Sequence, residues 1–339
     1  MQSGESNRSS PLRRTLIALP IGLLLLVWTG LSFYWSRKPA LFDVRAEAAT
    51  QLAQLGGPTT PPPGTVVTST AIGIGTRLLD KPGGYLSNDL FPPGVWLDDI
   101  ANWEFGALTQ LRDLTEAMRE SFSRSQSQSA EDRDLVIAEP QFKFDNASWA
   151  LPSTEGEYRQ GLRALRSYLQ RSSDDNHNDG QFHARADNLN FWLATVETRL
   201  GSLSQRLSAS VGQVRIDTTS GGTVDATAAA PAAVEQMTRT PWLQIDDVYY
   251  ESQGSAWALL HILKAVEVDF AEVLQKKGAQ VSLRQIIREL EATQRPLTSP
   301  MVLNGDGFGL FANHSLVLAS YISRAHAAII DLRQLLSQG

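Results

Sequence analysis

"FHARADNLNFWLATVETRLGSLSQRL", Phe182 to Leu207, carries the most regular pattern in the chain. Its apolar positions are Phe182, Ala186, Leu189, Leu193, Val196, Leu200, Leu203 and Leu207, at spacings alternating four and three. An α-helix turns once per 3.6 residues, so this alternation keeps one stripe facing inward over seven turns' worth of sequence, as in a coiled-coil seam. A strand would need a period of two, and none is present here. The segment therefore predicts a long helix, and the question becomes what it packs against.

Working outward, helical spacing recurs on both sides. "TEGE" predicts a capping box with Thr154 as N-cap and Glu157 three residues on, followed by Tyr158, Leu162, Leu165 and Leu169 on one face. This helix and the 182–207 helix are expected to form an antiparallel hairpin across the turn "RSSDDNHNDG". Leu108, Leu111, Leu114 and Met118 mark a helix beginning near Trp96. Leu259, Leu263, Val266, Phe270 and Val273 mark another. "SLRQIIRELEA" predicts a short helix with Ser282 and Gln285 as its capping box. A final helix places Leu318, Ile322, Ala325, Ile329, Leu332 and Leu336 inward. Strand-like runs are confined to Thr65–Thr70 and Leu135–Phe144. The expected fold is all-α: an N-terminal transmembrane helix followed by a bundle of long antiparallel helices.

"TLIALPIGLLLLVWTGLSFYW", Thr15 to Trp35, is 21 residues without a charge. At ~1.5 Å per residue it matches a bilayer core of about 30 Å. Trp28, Tyr34 and Trp35 crowd its C-terminal half as an aromatic belt would. Arg37 and Lys38 stand where a signal peptide would carry small residues, so an uncleaved anchor is expected. Arg8, Arg13 and Arg14 bias the N-terminus inward. The expected layout is a cytoplasmic tail (1–14), an anchor (15–35) and a juxtamembrane helix with a Pro/Gly/Thr linker (36–77). A helical periplasmic domain (78–337) follows, interrupted by a flexible insertion at 217–235. In a bacterium this is a single-pass inner-membrane protein with a periplasmic body.

Composition excludes several chemistries. There is no Cys among 339 residues, so disulfides, zinc–thiolate sites, iron–sulfur clusters and Cys nucleophiles are absent. Residues beyond 38 hold 25 basic and 35 acidic side chains, a net −10, which repels phosphate backbones and argues against nucleic-acid binding. His177, His183, His261, His314 and His326 include no pair at helical i, i+4 spacing, so no metal is expected, and no cofactor is called for.

Two stretches look like sites. "DKPGGYLSNDLFPPGVWLDDIANWEFG", Asp80 to Gly106, gathers Asp98, Asp99, Trp103 and Glu104, and Asp246, Asp247 and Glu251 repeat the acidic theme. A glycan-cleaving enzyme needs two carboxylates facing a cleft. Adjacent Asp residues at a helix start more simply accept backbone amides and complement the helix dipole. "NGDGFGLFANHS" offers Asn304, Asp306, Asn313 and His314 before a helix, where Asn313 or Ser315 suits a cap. It lacks the Lys-Ser or Lys-Thr of a phosphate loop and the spaced acids of a calcium loop. "WLDDI" at Trp96 is echoed by "WLQIDDV" at Trp242, which a duplicated hairpin or chance similarity would equally explain. Trp192, Phe191 and Trp257 are expected mainly in the core, an exposed pair marking a partner surface. Arg199 and Arg206 are expected on a solvated face, with acidic loops as possible ion partners.

Several blocks together resemble a known family. "LLDKPGGYLSNDLFPPG", "NWEFGALTQLRDL", "ARADNLNFWLATVETRLGSLSQRLSASVG", "TPWLQIDDVYYESQGSAWALLHILKAVEVDF", "SLRQIIRELEATQ" and "NGDGFGLFANHSLVLASYISRAHAAIIDLR" are similar, in order, to the bacterial domain of unknown function 2333. The resemblance runs from about Leu78 to Leu335. It implies a membrane-anchored protein of Gram-negative bacteria and no particular activity, so no catalytic residue carries over. The expected function is that of a binding or scaffold module, engaging the bilayer through 15–35 and a protein or other envelope component through its body. The alternative is a cell-wall glycan-acting enzyme using loop carboxylates.

Overall fold

The computed structural model describes residues 11–58, 60–125, 129–174, 180–216, 235–299, 301–306 and 309–338, without the side chains of 11–18, 213–216 and 235–238. In chain order the helices are α1 (Pro11–Trp35), α2 (Val44–Leu55), α3 (Thr65–Asp80), α4 (Asp98–Ala117), α5 (Leu135–Lys143), α6 (Thr154–Ser172), α7 (Ala186–Ser208), α8 (Ile245–Asp269), α9 (Ala271–Lys276), α10 (Gln280–Thr293) and α11 (His314–Ser337). A π-helical turn, Met118–Phe122, ends α4. The only described strands, β1 (Gln213–Ile216) and β2 (Glu235–Thr238), form one short antiparallel ribbon. The insertion expected at 217–235 lies outside the described residues except for Glu235, which opens β2. The fold is all-helical.

At the centre α4 packs along α8. Asn102 Nδ2 donates to Asp247 Oδ1 at 2.7 Å, and Gln110 Nε2 donates to Ser255 Oγ at 2.9 Å, so the two helices run in the same direction. Their crossing is reciprocal. A Cβ built at Gly106 would overlap the carbonyl oxygen of Glu251, and one at Gly254 would overlap that of Trp103. Each glycine lies three residues after the carbonyl its partner approaches, so the backbones touch where a side chain would hold them apart. The echoed segments around Trp96 and Trp242 are thus the N-terminal approaches to a symmetric helix pair.

The 182–207 pattern marks the correct face but not the expected neighbour. Leu189, Leu193, Val196 and Leu200 are fully buried, and Leu203 and Leu207 nearly so. That seam packs chiefly on α11, whereas α6 packs on α5 and α3. The expected α6–α7 hairpin is therefore not formed: each helix finds a larger apolar face elsewhere. Arg333 bonds Asn190 and Glu197 across the α7–α11 seam.

Four other expectations are corrected. The strand-like runs at Thr65–Thr70 and Leu135–Phe144 lie in α3 and α5. Moreover α3, assigned by sequence to the linker, is buried from Thr65 to Gly75 and packs on α2, α4, α6 and α8. Its β-branched residues serve tight packing rather than pleating. The cap of α6 is Ser153, whose side chain accepts from Gly156 N; Thr154 instead donates to the Asp145 and Ser148 carbonyls. Finally, α10 starts at Gln280, before the expected box at Ser282.

The apolar α1 is followed by a break, and α2 starts anew on an Asp43 cap that accepts from Arg45 N and Ala46 N. Among the described residues no helix is long and apolar enough to cross a membrane. Thr15 to Ala18 of the expected span are without described side chains. The stretch from Lys38 to Phe42 climbs α8: Lys38 bonds Gln253, and Phe42 N donates to His261 Nε2 at 3.0 Å while its ring stacks on the imidazole at 4.0 Å.

Two substitutions test this packing. Leu200→Ala is expected to cost about 2–5 kcal/mol as a buried truncation, whereas Thr198→Ala, on the exposed side, should change stability little; paired denaturant titrations decide. Gly106→Ala or Gly254→Ala should destabilise by about 1–3 kcal/mol or more, because the helix pair must separate to admit the methyl.

Candidate functional site

Asp80 to Gly106 is built around one buried ion pair. Lys81 Nζ lies 2.6 Å from Glu104 Oε1 with both side chains essentially excluded from solvent. Glu104 also accepts from Leu86 N at 3.0 Å, Ser87 N at 2.9 Å and Ser87 Oγ at 2.6 Å. Lys81 donates to the Gly84 carbonyl at 2.6 Å. Burial pushes the Glu104 carboxyl up, opposed by Lys81 and these donors. Gly83 and Gly84 adopt positive φ, which lets the chain double back over the pair. Removing one partner would strand a charge in the core. Glu104 is thus a fastener for the loop preceding α4, and Lys81, its partner, carried no sequence signal beyond its charge.

Trp103 is completely buried, 5.0 Å from the Trp257 ring. Trp192 and Trp257 are likewise core, while Phe191 is half-exposed. Glu251 is held bidentately by Arg206 at 2.5 and 2.6 Å, and Asp113 by Arg199 at 2.8 and 3.0 Å. The arginines expected on a solvated face thus reach acidic partners on neighbouring helices.

The remaining acids do come together. Asp98, Asp99, Asp246 and Asp247 surround the side-by-side N-termini of α4 and α8. They are not the side-chain caps expected: neither helix has a side-chain cap bond. Asp98 and Asp246 accept only from the next residue's amide, at 3.1 and 3.2 Å, and Asp247 accepts from Asn102. Partial burial, then the charges of Asp246 and Asp98, push the Asp99 carboxyl up to about 7. Burial draws Lys38 down to about 8, against the pull of Asp99. Asp247 is also raised, by burial and then by Asp246.

The glycine loop is a separate feature at the start of α11. Asn313 is its cap, Oδ1 accepting from Leu316 N at 2.8 Å, and Nδ2 donates to the Gly305 carbonyl. His314 Nδ1 accepts from Leu303 N at 2.9 Å. Asp306 Oδ1 accepts from Gly309 N. Asn304 bridges to Asn313. Residues 307 and 308, and His177, lie outside the described residues. A cavity of about 180 Å³ between Tyr249, Leu297, His314 and Tyr321 lies beside this loop. Among the described residues no group of three or more His, Asp or Glu is arranged to hold a metal ion.

A second cavity, of about 840 Å³, lies at the other end of α8, and no sequence pattern pointed to it. Val66, Phe182, Ala184 and Val268 line its apolar part, and Arg45, Arg185 and Lys276 supply cationic side chains. Asp269 lies in its wall, mostly buried. Its Oδ2 accepts from Val67 N at 2.7 Å, so it caps α3 from 202 residues away, where the N-cap residue Gly64 has no side chain to do so. Burial, outweighing this bond, pushes the Asp269 carboxyl up to about 7. None of the acids singled out in the sequence lines this cavity.

An all-α bundle organised about a parallel helix pair, with an acidic cluster at one end and an open cavity at the other, is the class of protein defined by these features. The chain belongs to DUF2333, described as an uncharacterized protein conserved in bacteria, whose family model matches residues 9–339. No curated protein and no solved structure matches the chain.

The raised Asp99 makes a signed prediction. An unfolded Asp titrates near 3.8, so between about pH 4 and 7 the folded state holds the extra proton and stability falls as pH rises. Asp99→Asn should therefore stabilise the protein at pH 8, on the order of 1 kcal/mol after solvent screening. The gain should vanish at pH 4, as urea midpoints at the two values will report.

Proposed function

We propose that this chain is a single-pass, membrane-anchored helical module of the bacterial inner membrane, with its N-terminus cytoplasmic and its body periplasmic. The body binds an anionic envelope component in the 840 Å³ cavity. The observation carrying the binding reading is that cavity. Its size falls in the range of about 300–1,000 Å³ typical of ligand sites. Its wall joins an apolar surface at Phe182, Val66 and Val268 to three cations, Arg45, Arg185 and Lys276, against two acids, Asp269, whose carboxyl is pushed up to about 7, and Glu272, 3.6 Å from Lys276, and it opens at the end of α8 farthest from α1. A ligand with an apolar portion and a carboxylate or phosphate fits that lining. The anchor reading is supported by the uncharged run from Thr15 to Trp35 and by the exposure of Leu19, Leu23, Leu26 and Phe33 around α1, an apolar circumference that water does not favour.

One observation favours the alternative of a glycan-acting enzyme: Asp99, with a carboxyl near neutrality beside Asp246, has the poise of a general acid. Glu104 and Glu251 lend it no support, being engaged by Lys81 and Arg206.

Alkaline phosphatase fused after Gly339 should be active, and a reporter that needs the cytoplasm inactive; the reverse would overturn the topology. A photo-crosslinking side chain in place of Phe182, in cells, should yield an adduct that Arg45→Glu with Lys276→Glu abolishes, while the same probe at Ile330 yields none. Release of soluble fragments from peptidoglycan by the purified chain, lost in Asp99→Asn, would favour the enzyme instead.

A further inference from the structure

Large apolar side chains exposed to solvent gather at the end of the bundle from which α1 departs. Phe91 and Trp96 project from the loop before α4, Trp149 and Leu151 from the loop before α6, and Trp242 and Leu243 from the turn before α8. Leu151 is 99% exposed and Trp242 77%, so neither is satisfied by the fold. The loops are neighbours: Phe91 meets the Trp149 ring edge-on at 6.3 Å, and Asn88 bonds the Ser148 carbonyl at 3.0 Å. Trp242 and Trp96 precede helices that start together, as the Asn102–Asp247 bond requires, so both lie at the same end. The echoed Trp-Leu motif therefore supplies two exposed tryptophans at one end.

The position of α1 identifies what these side chains face. Trp96 meets Trp28 edge-on at 5.8 Å, and Trp28 lies within the apolar run, seven residues before its end at Trp35. At ~1.5 Å per residue that is about 10 Å down the helix. Beyond Trp35 the chain turns up the bundle, Lys38 reaching Gln253 and Phe42 reaching His261. The body thus extends down alongside α1 to a level inside the apolar run. Apolar elements of interfacial proteins bury about 5–10 Å into the headgroup–acyl boundary, where Trp is favoured.

We propose that this collar, Phe91, Trp96, Trp149, Leu151, Trp242 and Leu243, is a lipid-docking surface that seats the body in the outer boundary of the bilayer α1 enters. This rests on the anchor reading above. Its occupant is lipid rather than a protein, since the collar is continuous with the exposed apolar surface of α1 through the Trp28–Trp96 contact. Asp98, Asp99, Asp246 and Asp247 at the same end would repel anionic headgroups, so docking is by apolar insertion and not by charge. The consequence is an upright body, its 840 Å³ cavity facing away from the membrane, instead of one swinging on a flexible stalk.

The absence of Cys makes the test direct. Full-length chain carrying one of Leu24→Cys, Leu151→Cys, Trp242→Cys or Val281→Cys is labelled with an environment-sensitive fluorophore. It is then reconstituted in phosphatidylcholine vesicles with or without phosphatidylglycerol. Labels at 24, 151 and 242 should be blue-shifted and lose most of their emission to a lipid-borne nitroxide, a shallow one for 151 and 242 and one near the bilayer centre for 24, which lies about 16 Å down the helix from Trp35. The label at 281, exposed on α10, should respond only to an aqueous quencher. Adding phosphatidylglycerol or high salt should not change the pattern. Lipid quenching at 24 with aqueous quenching at 151 and 242 overturns the collar and leaves the anchor standing. No lipid quenching at 24 overturns the anchor reading and the collar with it. Labels at 151 and 242 shielded from both quenchers would mean that protein, a second copy or another chain, covers the collar, which also overturns the proposal.

Discussion

The backbone contact between α4 and α8 at Gly106 and Gly254 is the constraint on which the rest of the bundle depends. Two helices that touch backbone to backbone must lie closer than side chains permit, and the remaining helices pack around that narrow waist. It sets the two N-termini level with each other. That in turn draws Asp98, Asp99, Asp246 and Asp247 together and leaves carboxylates competing for a shared positive dipole end. The acidic cluster is thus a by-product of helix register as much as a feature in its own right.

Two fastenings transmit this arrangement to the chain outside the central pair. The Lys81–Glu104 ion pair, sealed from water and supported by the amides of Leu86 and Ser87, ties the end of α3 to α4 through the glycine turn. The stretch from Lys38 to Phe42 ties the end of α1 to α8. Burial lowers the His261 imidazole to about 4, so it is neutral near pH 7 and can accept the Phe42 amide while stacking on its ring. Arg77 covers the other side of the Phe42 ring at 3.9 Å and pairs with Glu47 at 2.8 Å. A segment of this kind would act as a flexible stalk if it were solvated; packed so, it fixes the direction in which α1 leaves.

The bundle consequently has two unlike ends. One gathers the exit of α1, the starts of α4, α6, α8 and α11, and exposed aromatic tips. At the other, the end of α8 meets the start of α3, where Asp269 caps Val67, and the rings of Phe122, Phe182 and Phe270 cluster beside the large cavity. Structural demands and ligand-like features meet in the same residues there: Asp269 terminates a helix yet holds its proton to about pH 7.

The sequence by itself determined the helical class, the inward faces of α7, α8 and α11, a cap at Asn313 or Ser315 and the apolar run of α1, because each rests on spacing or composition within one segment. It missed the partner of α7, the burial of α3 and the cap at Ser153, one residue before the expected Thr154, since the choice among apolar faces and helix starts is made by whichever tertiary contacts bury most. It expected Asp caps to hold Asp80 to Gly106 at the helix start; the stretch is held instead by the distant pairing of Lys81 with Glu104. The echo between Trp96 and Trp242 was visible as letters; only the crossing at Gly106 and Gly254 made it a symmetric pair. The cavity of Arg45, Phe182, Asp269 and Lys276 had no sequence signature at all. Its walls come from segments more than two hundred residues apart, and only the three-dimensional packing of α2, α3, α7 and α8 brings them to one place.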